Sequence, residues 1–87
     1  MQTQHSVDAN QEHLRLKAAI GKRVIDLLGM PSDFHRVQVI HLWEGRYRVN
    51  VLTGEQAVSA QVAHSYFVSA DGEGGIVESV PAITRRY

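Results

Sequence analysis

Residues 46–52, Arg-Tyr-Arg-Val-Asn-Val-Leu, alternate polar and apolar side chains with a period of two. On an extended strand that period puts Tyr47, Val49 and Val51 on one face and Arg46, Arg48 and Asn50 on the other. A helix, at 3.6 residues per turn, would scatter both sets around its circumference. The stretch therefore reads as a strand of a sheet with one buried face. Such a sheet needs a cover over its apolar side, and that need constrains how the rest of the chain is used.

The segment from about Asp8 to Leu28 supplies the cover. Leu14, Ala18, Gly21, Ile25 and Leu28 recur at spacings of four, three, four and three, one continuous helical stripe. Asp8 or Asn10 suits the cap, Glu12 suits the first turn, and Gly29 and Pro31 end the helix. Leu16, Ile20, Val24 and Leu27 widen the apolar band to about 200° of the helix surface. A helix resting on one sheet needs only about half of that arc. Either the margins of the band are half-buried, or they meet a second chain.

The remaining apolar runs, 36–43, 57–70 and 76–80, are rich in valine and aromatic residues and are separated by glycine-bearing breaks. The expected fold is α+β, an N-terminal helix packed on a three- to four-stranded antiparallel β-meander. Residues 1–10 are expected to form a flexible tail and 11–87 a single domain. Between the first two strands, a two-residue Glu44-Gly45 turn would hold Glu44 at positive φ, at about 1–2 kcal/mol. A three-residue loop, Trp43-Glu44-Gly45, avoids that strain and sends Val37, Val39 and His41 to the core and Ile40 and Leu42 to the far face. In either register the first strand carries aliphatic residues on both faces. After the second strand, Gly54 suits a type II′ turn that pairs Thr53 with Gln56, Val51 with Val58, Val49 with Ala60 and Tyr47 with Val62. Ser59, Gln61 and Ala63 would then lie beside the arginines on the far face.

Eighty-seven residues without a cysteine leave no disulfide and no thiolate metal site. One core of this size supplies roughly 3–5 kcal/mol, so oligomerisation is the expected reinforcement. Nine Lys and Arg balance nine Asp and Glu, without the basic excess that phosphate binding usually demands. The start of the chain lacks the basic and apolar regions of a signal peptide, and no apolar run approaches a membrane span. A soluble, cytoplasmic protein without a membrane partner is the expectation.

Catalytic signatures are sparse. The five histidines show no His-Glu-x-x-His or related ligand spacing. His64 and Ser65 are neighbours on a strand and point to opposite faces, so they do not form a base–nucleophile pair. The carboxylates fall mostly in turns or near a helix end, positions that explain them without catalysis. No catalytic residue, metal ligand or cofactor is assigned.

What stands out is a far sheet face with aliphatic and basic residues and no evident cover. Uncovered apolar patches mark interaction sites. The leading expectation is a small non-enzymatic interaction module that forms a homo-oligomer, a dimer first, through the sheet face or the helix. Its candidate interface residues are Val37, Val39, Ile40 and Leu42 with Leu16, Ile20 and Leu27. The alternative is a nucleic-acid or anion-binding module in which Trp43, Arg46, Arg48, Asn50 and Gln61 form the contact surface.

Overall fold

A computed structural model describes the backbone of residues 2–87 and the side chains of residues 11–87 other than Ala57. Helix α1 (Gln2–Leu28) is followed by β1 (Phe34–Trp43), β2 (Arg46–Thr53), a short 3-10 turn (Ala57–Ser59), β3 (Gln61–Ala70) and β4 (Ile76–Val80). The strands form one antiparallel sheet in the order β1-β2-β3-β4. The α+β meander therefore stands, with all four strands present. The backbone of residues 2–10, where a flexible tail was expected, falls within the range of α1, so the helix runs past the cap expected at Asp8 or Asn10; the side chains of this stretch lie outside the described residues.

The core forms where the helix meets the inner face of the sheet. Ile20, Val24 and Leu28, spaced by four, are fully buried against Tyr47, Val49, Val51, Tyr66 and Val68. This line differs from the expected stripe: Leu14 is 66% exposed and Ala18 is exposed. Gly21 explains the shift. A Cβ placed there would stand 3.0 Å from Val37 Cγ1 and 3.4 Å from Val39 Cγ2, so the helix rests on β1 through the one residue without a side chain. That close approach turns the Ile20–Val24–Leu28 line into the centre of the contact. The helix ends at Leu28, where Gly29 N–H donates to the Ile25 carbonyl at 2.8 Å.

In the first hairpin Val37 lies opposite Val51, Val39 opposite Val49 and His41 opposite Tyr47. Gly45 takes φ 68°, and no described non-glycine residue has positive φ, so Glu44 is unstrained. Val37 and Val39 pack against the core on the helix side, and Ile20 is wholly buried in it. These three residues were candidates for an outer interface. Their side chains belong instead to the chain's own core, because the loop register and the approach at Gly21 both turn them inward.

The second hairpin also differs. Tyr47 lies opposite Val68, Val49 opposite Tyr66 and Val51 opposite His64. Val68 thus stands where Val62 was expected. Residues 54–60 are a connection, tightened by Ser59 N–H donating to the Gln56 carbonyl at 2.9 Å, and Val58 is 92% exposed. The alternation of Val58, Ala60 and Val62 competes with that of His64, Tyr66 and Val68. The second set buries far more apolar area against Val49, and burial scales with area. Ser65, Phe67 and Ser69 consequently reach the far face in place of Ser59, Gln61 and Ala63.

Beyond β4 the chain turns back to the end of the helix. Arg86 and Tyr87 donate their backbone N–H groups to the Leu28 carbonyl at 2.8 and 3.2 Å, and Ile83 packs against the core. His64 Nε2 lies 2.7 Å from Tyr87 Oη. Burial pushes the Tyr66 hydroxyl above the ordinary tyrosine range, with Arg86 opposing in part.

Ile20→Ala is expected to cost about 2–5 kcal/mol, the usual range for emptying a buried aliphatic site. Val58→Ala is expected to stay within about 0.5 kcal/mol. Urea denaturation midpoints of the two variants check the difference.

Candidate functional site

The outer face of the sheet is laid out in rungs across the strands. Arg36, Leu52 and Val62 form the first, and Gln38, Asn50 and Ser65 the second. Ile40, Arg48, Phe67 and Val80 form the third, crossing all four strands. Trp43, Arg46, Ser69 and Glu78 form the fourth. α1 covers only the opposite face, so this face is uncovered among the described residues.

Its polar residues are tied to one another. Arg48 Nη1 donates to Ser65 Oγ at 3.3 Å, Ser65 Oγ donates to Asn50 Oδ1 at 2.7 Å, and Asn50 Nδ2 donates to Gln38 Oε1 at 3.1 Å. This chain of bonds links β1, β2 and β3 along the second rung. Beside it lies an apolar group: Ile40 is 40% exposed, Leu42 37%, Trp43 56% and Val80 62%. The Trp43 and Phe67 rings meet at 5.6 Å between centroids with a 52° tilt. Such a face offers apolar area beside a centre in which Asn50 and Ser65 are bonded to their neighbours.

The sequence-derived candidates divide accordingly. Trp43, Arg46, Arg48, Asn50, Ile40 and Leu42 share this end of the sheet. Gln61 does not join them, because it sits opposite Thr53 at the start of β3. Gln38, Ser65 and Val80 belong to the face and were not singled out from sequence. The signal that would have found Ser65 is the alternation of His64, Tyr66 and Val68, which leaves Ser65 and Phe67 outward.

Leu16 and Leu27 border the turn between β3 and β4. Leu16 lines a shallow cleft of about 280 Å³ with Glu12, Arg15, Ala19, Gly72 and Glu73. Leu27, 43% exposed, lines another of about 330 Å³ with Arg23, Asp71, Gly75 and Ile76. Asp71 Oδ1 accepts the N–H groups of Glu73 and Gly75 at 2.9 and 2.8 Å. Those two backbone bonds hold its carboxyl below the usual aspartate range, and they give it a turn-organising role. The other flank of the helix carries Leu14 and Ala18, on the same line as Gly21 and therefore toward β1.

His13 and His41 pack on one another and on the sheet. His13 meets His41 edge-on at 4.7 Å, and His41 lies 5.1 Å from Tyr47. Among the described residues, no three His, Cys, Asp or Glu side chains come together as a metal site. No described helix is long and apolar enough to cross a membrane. No protein-family model, curated protein or solved structure matches this chain.

Removing the hub of the polar chain, Asn50→Ala, is expected to cost about 0.5–1.5 kcal/mol, the net worth of a partly exposed hydrogen bond. It is also expected to speed amide exchange in β1. Thermal melting combined with hydrogen exchange checks both effects.

Proposed function

We propose that this chain is a small non-enzymatic interaction module that self-associates. The observation that carries the reading is the apolar surface left over once the core is complete: Ile40, Trp43 and Val80 on the outer sheet face, Leu42 at the irregularity beside Trp43, and Leu14 on the helix. Uncovered apolar area of this kind marks an interaction site. The bonds joining Gln38, Asn50 and Ser65 leave the apolar group beside them as the part of the face suited to a protein partner. A domain of 87 residues gains most from a second copy, because its single core is small. Sedimentation equilibrium over a wide concentration range is expected to give twice the chain mass. A monomer mass at every concentration overturns the reading.

A second reading, binding of single-stranded nucleic acid, has one observation behind it: the Trp43–Phe67 pair lies beside Arg46 and Arg48 on the same face. Aromatic platforms flanked by arginine suit base stacking. It ranks second because Arg48 is already bonded to Ser65, Glu78 shares the face, and the chain is formally neutral. Under this reading an oligonucleotide is retained at low salt and released as salt rises, and the double substitution Arg46→Ala and Arg48→Ala abolishes retention. Fluorescence anisotropy with a labelled single strand measures it. No change in anisotropy at low salt removes this reading.

A further inference from the structure

We propose that the second copy docks through β1, edge to edge and antiparallel. Two four-stranded sheets then become one of eight strands, with the two α1 helices side by side on its inner face. The proposal rests on the self-association reading and assigns it to the β1 edge and the helix flank bearing Leu14, and not to the outer sheet face.

The sheet has two edges, and they differ. β4 is five residues long, has a register irregularity beside it and runs into Pro81. Short, interrupted and proline-bounded edges resist pairing. β1 is ten residues long, contains no proline, and carries Arg36 as its one Asp, Glu, Lys or Arg side chain. Its pairing with β2 is regular from Arg36 to His41. Among the described residues no backbone group pairs with its outer side. A long, nearly uncharged edge presents a row of N–H and C=O groups that only another strand satisfies in register.

The helix identifies whose strand it is. His13 meets His41, and Gly21 meets Val37 and Val39, so α1 runs antiparallel to β1. Ala18 falls between those two contacts, above the middle of the regular stretch. Leu14 and Ala18 are exposed on this flank, and Ile25 lies half-buried on the same line. A strand from an unrelated protein would complete the edge and leave Leu14 and Ala18 in water. A second copy turned about a twofold axis at Val39 covers both at once.

Under that operation Val39 meets the partner's Val39, Val37 meets the partner's His41, and Gln38 meets the partner's Ile40. Arg36 meets the partner's Leu42, so no like charges stand opposite one another. The small Ala18 lies where the helices come nearest, with Leu14 and Ile25 to either side. The outer face continues across both sheets and stays open.

The chain has no cysteine, so one introduced thiol is a unique reporter. The test treats the Ala18→Cys variant with a short bismaleimide linker, and follows the mass of an Ala18→Glu variant by sedimentation. Edge pairing is expected to give a covalent dimer of Ala18→Cys and a large rise in the dissociation constant of Ala18→Glu. Stacking through the outer faces keeps the helices roughly 30 Å apart, beyond the linker. A parent protein that dimerises, with Ala18→Cys not cross-linked and Ala18→Glu still dimeric, overturns the edge assignment and leaves self-association standing. A parent protein that stays monomeric overturns both.

Discussion

The seating of Gly21 on Val37 and Val39 governs most of what surrounds it. A helix that approaches a strand this closely must do so through a position without a side chain, and the rest of the helix rotates to suit. Ile20, Val24 and Leu28 then point into the space above Val49, Val51 and Val68. His13 comes to rest on His41, and the flank bearing Leu14 and Ala18 is left beside β1. Two consequences of opposite kind follow from one contact: a dry core on one side, an apolar margin on the other.

The outer face depends on a second constraint, the register between β2 and β3. Placing Tyr66 and Val68 against Val49 and Tyr47 fills the core with the largest available side chains. The same choice brings Ser65 beside Asn50 and Phe67 beside Arg48. The polar chain from Gln38 to Arg48 and the Trp43–Phe67 contact are thus by-products of core packing, since a strand cannot shift one face without shifting the other. An uncovered apolar surface arises here without any dedicated element.

Much of this was legible in the residues. The alternation over 46–52 gave the inner and outer faces of β2, and the cost of positive φ at Glu44 gave the register of the first hairpin. Where one alternation ran on through 57–70, local pattern had no means to choose which part of it lies against β2. Val58, Ala60 and Val62 read as well as His64, Tyr66 and Val68 until the volume of the core was taken into account. Gln61 was misplaced for that reason, and Ser65, Gln38 and Val80 were passed over. In the helix, a band of about 200° contained the right residues but could not say which line would be central.

By itself, then, the sequence determined the types of the elements, their order, the inner face of β2, and the absence of disulfides and of any strong basic excess. These are properties of single segments or of composition, set by period, turn chemistry and charge. The tertiary structure decided which side of the helix is buried, where β3 begins, and which edge and face remain uncovered. Those depend on the volume shared between segments far apart in the chain, a quantity that no single segment carries.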